Sequence, residues 1–295
     1  MFRFMVKKLL IGLAATLVAV GAFQFSTAGA ATPSAAGCTL QPASPAELDA
    51  VSPGDVVCFT GNLAADRLQI TEGGTAEEPV TYSGNGEAVG GIDIEADNVI
   101  VEGYTMDGPE APGVLIEGKG VTLQDVTIAN PTGGDGDGLR FFGDDIKILK
   151  NTISGTSNEN GHADCMQTFA DDTPPSNNVL IEGNRCEKID NMCLMAEGPN
   201  DGEGDGEGHT TKFTLKGNYC ETLEAGQQIM IEDIQDAVIA DNEFVGSTDR
   251  AIGLAINSTG AHVSGSKLDE AIECEVGIDD SSREGYEGPE PECEP

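Results

Sequence analysis

Apolar and polar positions along this chain fall into one phrase that keeps returning. Asn98–Met106 reads NVIVEGYTM, and GVTLQDVTI (Gly120–Ile128), DIKILKNTI (Asp145–Ile153) and NVLIEGNRC (Asn178–Cys186) follow it. KFTLKGNYC (Lys212–Cys220), DAVIADNEF (Asp236–Phe244) and the weaker AHVSGSKLD (Ala261–Asp269) complete the series, with starts 22 to 34 residues apart. A period in that range marks a solenoid, whose units bury their apolar faces only by stacking on each other. Each phrase is β-rich, about one strand long and punctuated by Gly, Asn and Asp. The pattern therefore predicts an all-β, right-handed parallel β-helix with a short N-terminal capping helix.

A second strand follows each phrase, at Leu139–Phe142, Met166–Phe169, Leu194–Glu197, Ile229–Glu232 and Ile252–Ile256. Alternation along a strand turns Leu139, Met166, Leu194, Ile229 and Ile252 inward. Arg140, Gln167, Met195, Met230 and Gly253 then form an outward column. Phe142, Phe169, Glu197 and Glu232 lie one step further along. Asn151, Asn184, Asn218 and Asn242 share one position of four coils, as an internal turn ladder of amide side chains requires.

Boundaries follow from the same pattern. Residues 1–30 form a secretory signal peptide, with Arg3, Lys7 and Lys8 ahead of the apolar run Leu9–Val20 and a small-residue cleavage site near Ala30. Residues 31–79 are linker and cap, with Ser44–Val51 as one capped helix. Residues 80–272 form the β-helix, and 273–295 an acidic tail. The protein is expected to be secreted, off the membrane after signal removal, and monomeric.

Charge narrows the partners. The chain has 51 acidic and 15 basic residues, for a net charge of −36. Such a surface repels nucleic acid, and polyanions too unless cations screen it. Salt adaptation and divalent-ion binding both account for the excess. Eight cysteines in an exported chain imply disulfides. Stacked columns suggest Cys165–Cys193 and Cys186–Cys220 as rungs between coils, with Cys38–Cys58 in the cap and Cys274–Cys293 in the tail.

Candidate chemistry gathers at the two longest coils, where Thr156–His162, Asp171–Asn177 and Pro199–Thr210 add loop length. His162 next to Asp164 offers an oriented acid or base. Arg140 faces outward beside Gln167, and Arg185 and His209 are further substrate-binding candidates. Asp135–Gly138 and the run Asp201–Gly208 are oxygen-rich glycine sequence suited to Ca²⁺. Asp144–Asp145 and Asp171–Asp172 are paired acids, read here as turn residues rather than glycosidase carboxylates.

The cap phrases Ser52-Pro-Gly-Asp-Val-Val57 and Gly74-Thr-Ala-Glu-Glu-Pro-Val-Thr81 resemble the opening of secreted β-helix proteins of the pectate-lyase-like superfamily, chondroitinase-B-like and alginate-lyase-like members in particular. The stretch from His162-Ala-Asp-Cys-Met-Gln167 to Asp279-Asp-Ser-Ser-Arg283 looks like a group of secreted actinobacterial β-helix proteins. The resemblance implies a polysaccharide partner and an elimination-type lyase acting on an acidic, uronate-containing glycan. It further implies proton transfer at Arg140 or His162 and a cation, often Ca²⁺, on Asp164, Glu197 and Asp137. The lysine-plus-arginine pairing of the chondroitinase-B-like group has no counterpart at matching spacing. A non-catalytic glycan- or cell-wall-binding module, and a glycoside hydrolase, are the alternatives.

Overall fold

The computed structural model describes residues 37–48, 50–159, 161–170 and 174–295, so the expected signal peptide and Asp171–Asp172 lie outside the described residues. All described residues belong to one compact unit, Pro33–Pro295. It is a parallel β-solenoid of three sheets, with almost no helix. Sheet 1 runs from Val56–Val57 to His262–Ser264. Sheet 2 has nine strands, from Leu63–Ile70 to Cys274–Ile278. Sheet 3 has seven, from Thr105–Asp107 to Lys267–Leu268.

Each repeat phrase spans two strands, not one. Val99–Glu102 lies in sheet 1 and Thr105–Asp107 in sheet 3, with Gly103 at the bend. The reason is a column of left-handed residues at that corner: Gly103, Asp125, Lys150, Gly183, Gly217, Asp241 and Gly265 all have φ between 52° and 69°. A second column, Asn98, Gly120, Asp145, Asn178, Lys212, Asp236 and Gly260, turns the chain from sheet 2 into sheet 1 with φ between 54° and 72°. Gly, Asn and Asp tolerate this region best, and they fill most of both columns. The two lysines carry the greater strain.

The core is built from stacked columns. Ile92, Val114, Leu139, Met166, Leu194, Ile229, Ile252 and Val276 are register partners down sheet 2, all buried. Cross-strand contact between like apolar side chains is what a solenoid stacks on. The expected amide ladder is present. Each of Asn151, Asn184 and Asn218 donates its backbone N–H to the next Asn Oδ1, at 2.9 Å. Their side-chain Nδ2 atoms donate to Leu123, Ile148 and Ile181 carbonyls in the preceding coil.

Three expectations need correction. Among the described residues, the cap segment Ser44–Val51 has a three-residue 3₁₀ turn, Pro45–Glu47, in place of the expected helix. Ser44 makes no side-chain cap, and Glu47 Oε2 instead accepts the Ala43 N–H. At the other end the solenoid continues past residue 272, since Cys274–Ile278 is the last strand of sheet 2. The acidic tail is bridged back onto it at Glu287 and Cys293.

The disulfides are Cys38–Cys58, Cys165–Cys186, Cys193–Cys220 and Cys274–Cys293. The two outer pairs match expectation; the two inner pairs do not. Cys186 and Cys220 are indeed register partners. In-register side chains point the same way, so their Cβ atoms stay about one strand spacing, ~4.8 Å, apart, beyond the ~3.8 Å a disulfide prefers. Cys165 and Cys193 approach sheet 2 and face sheet 3 across the interior. Each bonds to the cysteine of the next coil there, with Cα separations of 5.8 and 5.9 Å.

Candidate functional site

The outward face of sheet 2 carries the expected column, with Arg140, Gln167, Met195 and Met230 in register. Beside it, Glu197 pairs in register with Glu232. The same register, extended from Phe141 and Thr168, sets Phe142 and Phe169 ahead of them. The two rings meet edge to face at 4.9 Å, and the Arg140 guanidinium lies 5.7 Å from the Phe169 centroid. One edge of the face thus runs from an aromatic pair straight into a carboxylate pair.

Arg140 is held in place. Its Nε donates to Asp137 Oδ2 at 2.7 Å and its Nη2 to Asp135 Oδ2 at 2.6 Å. Asp137, almost fully buried, also accepts the Asp164 N–H on Oδ1 at 2.9 Å. Asp164 Oδ1 accepts from Asn191 Nδ2 and the Met192 N–H. Its Oδ2 is buried with no partner. Burial, then the Asp137 charge, push the Asp164 carboxyl up to about 8 despite its hydrogen bonds. It is therefore largely protonated at neutral pH. Burial raises Asp137 as well, while the neighbouring carboxylates raise Arg140 further above its ordinary value.

His162 is exposed on the loop before this strand and makes no hydrogen bond to a described residue. Asp164 turns inward to Asn191 and Met192, so the expected His162–Asp164 pairing does not form. Gln167 is buried; its Nε2 reaches Met195 Sδ at 3.2 Å and its Oε1 has no partner. Arg185 sits on sheet 3, paired with Glu187 and stacked 4.2 Å from the Tyr219 centroid.

A second organised group was not foreseen. His209 Nδ1 meets Asp233 Oδ1 at 2.5 Å, and Asn200 donates its backbone and side-chain N–H groups to Asp233 Oδ2. These contacts pin the long loop between the Leu194–Glu197 and Thr210–Lys216 strands. The same loop brings Asp201 near Glu232. Burial, then Asp201 and Asp279, raise the Glu232 carboxyl. Asp233 was missed because it is one of many acids at a turn. Its left-handed φ of 54° is invisible in the sequence.

Among the described residues, no group of three His, Cys, Asp or Glu side chains is arranged to hold a metal ion. Asp137 and Asp164 do meet, but Arg140 and amide donors occupy three of their four carboxyl oxygens. Glu197 stands two coils from Asp137 and one from Asp164, at the far end of its strand. This donor set does not fit Ca²⁺.

No family model matches the sequence, and no curated protein matches it. Solved structures do resemble it. A double mutant of the tailspike protein of E. coli bacteriophage HK620, in complex with a pentasaccharide, aligns over 80% of this chain and 48% of its own, at 14% identity and a TM-score of 0.50. The PL6 family alginate lyase AlyGC aligns over 81% of this chain and 40% of its own (11% identity, TM-score 0.46). A PL6 alginate lyase in complex with a trisaccharide covers 78% and 59% (14% identity, TM-score 0.44). The chain thus spans about half the length of these structures. At this identity the tailspike likeness bears on architecture alone, and it agrees with the parallel β-solenoid described above.

Proposed function

We propose that this protein is a secreted, polysaccharide-active β-helix that binds a glycan along the outward face of sheet 2 and hydrolyses it at Glu197 and Glu232. The observation that carries the reading is the register of that edge: Phe142 and Phe169, then Glu197 and Glu232. Aromatic rings take the apolar face of a sugar, and a carboxylate pair does acid–base work on its bond. Glu232, raised by burial and by Asp201, is the proton donor to the leaving oxygen. Glu197 is the nucleophile at the anomeric carbon, and water later releases the sugar with Glu232 as base. Neighbouring strands hold the two backbones about 4.8 Å apart, which lets the carboxyl groups reach the ~5–5.5 Å separation of retaining enzymes. Four disulfides fit a secreted setting.

Elimination from a uronate asks for a free base beside a neutralised carboxylate. Arg140 is clamped by Asp135 and Asp137, and His162 has no orienting partner among the described residues. The glycan edge is itself acidic, which favours a neutral glycan over a uronate. The test is a reducing-end assay over neutral and acidic polysaccharides, with absorbance near 235 nm read in parallel. Reducing ends without absorbance, lost in both Glu232→Gln and Glu197→Gln, support hydrolysis. Absorbance that depends on Arg140 or His162 would replace it with elimination. Binding without either signal would leave a non-catalytic module.

A further inference from the structure

Sheet 1 carries a cluster of lysines. Lys147 stands on its outward face, in register between Thr122 and Leu180. It lines an open hollow of about 550 Å³ with Lys119, Asn98, Asn178 and Thr214. A second hollow on the same sheet, about 480 Å³, is lined by Lys150, Lys216 and Glu182. Lys119 has a loose partner, Asp145 at 3.6 Å. Lys147, Lys150 and Lys216 have no carboxylate within ion-pair distance among the described residues.

That arrangement is unexpected on a chain with 51 acidic residues and 15 basic ones. Lys188 and Lys212 also lack an ion pair among the described residues, so it is the clustering on sheet 1 that stands out. Here four gather around two hollows with only Asp145 and Glu182 among them. The lining amides and hydroxyls of Asn98, Asn178 and Thr214 suit sugar hydroxyls. Neither hollow contains an aromatic ring on which a nucleic-acid base would stack.

We propose that the outward face of sheet 1 is a docking strip for an acidic polysaccharide, whose repeated carboxylates lie against Lys119, Lys147, Lys150 and Lys216. The strip is on a different sheet from the proposed hydrolytic edge, so it anchors the protein to a matrix polymer and leaves that edge free. The global charge gives it a signature. In dilute salt the Debye length of ~30 Å lets the whole acidic body repel a polyanion. At ~0.15 M it shrinks to ~8 Å, so the local lysines dominate, and at ~1 M, ~3 Å screens them as well. Binding is therefore strongest at intermediate ionic strength.

The experiment is titration of the full secreted protein with polygalacturonate at about 10 mM, 150 mM and 1 M NaCl. The expected result is an affinity maximum near 150 mM, lowered at least tenfold there by the double variant Lys147→Gln/Lys216→Gln. Lys188→Gln/Lys267→Gln, on sheet 3, is the matched control and retains binding. The idea is overturned by a steady fall in affinity from 10 mM upward, by equal loss in the control, or by equal binding of single-stranded DNA. Glu232→Gln should bind normally and the sheet 1 variant should still hydrolyse, so failure of either proposal is visible separately.

Discussion

Asp164 donates its backbone N–H to Asp137 Oδ1 at 2.9 Å, which sets two buried acids against each other beneath Arg140. The Asp164 carboxyl, raised to about 8 from 3.8, holds a proton in the folded state that the unfolded chain gives up near pH 4. The folded state binds the extra proton between those values, so this group lowers stability as pH rises from about 4 to about 8. Asp164→Asn copies the protonated form and keeps Oδ1 for Asn191 and Met192. Urea midpoints at pH 5, 7 and 9 should fall less steeply in this variant than in the parent. Parallel slopes would sink the assignment.

Arg140→Met is expected to destabilise by about 3 kcal/mol, because removing one partner of a buried pair strands the other. Asp137 is the stranded group, only 1% exposed. Asp137→Asn in the same chain should restore part of the loss. Equilibrium denaturation of the two single variants and the double measures the coupling. Additive effects would mean that the pair does not hold the turn.

The amide ladder makes a sharper demand. Asn184→Ala removes the acceptor of the Asn151 backbone N–H and of one Asn151 side-chain N–H, and a donor to the Ile148 carbonyl. Each orphaned buried group costs about 1–3 kcal/mol, so a loss of several kcal/mol is expected. Asn62→Ala, at an exposed position where the side chain accepts only the Ala64 N–H, should cost about 1 kcal/mol or less. A thermal melt that ranks the two equally would contradict the ladder's role.

Peptide mapping under non-reducing conditions should recover Cys165 linked to Cys186 and Cys193 linked to Cys220. Finding Cys186 linked to Cys220 would restore the column pairing. Replacing Cys165 and Cys186 together by Ser should cost about 3 kcal/mol, given the 21-residue separation they close.

Much of this was legible in the sequence because a solenoid writes its register directly. The spacing of Leu139, Met166 and Leu194 was enough to align Arg140 with Gln167 and Phe169 with Glu197. What failed was orientation at the corners. Nothing in the spacing of Cys165 and Cys193 says that they look across the barrel instead of along it. His162 and Asp164 are two residues apart, yet one faces water and the other the interior. The grip of Asp135 and Asp137 on Arg140 had a signal, an acid three residues before the only outward arginine of that column. The acid-glycine run disguised it as a cation loop. The Asn200–Asp233–His209 contact joins residues from different coils across a loop whose path no periodicity describes.

The two interior disulfides have a consequence for how the molecule comes apart. A solenoid behaves as a one-dimensional chain of nearest-neighbour units, and its ends melt before its middle. Cys165–Cys186 and Cys193–Cys220 tie three successive coils into one block around the long loops. Melting that enters from either end must halt there. Amide hydrogens on the strands of that block, Lys147–Leu149 through Gln227–Glu232, should therefore exchange together and last, long after the terminal coils have opened.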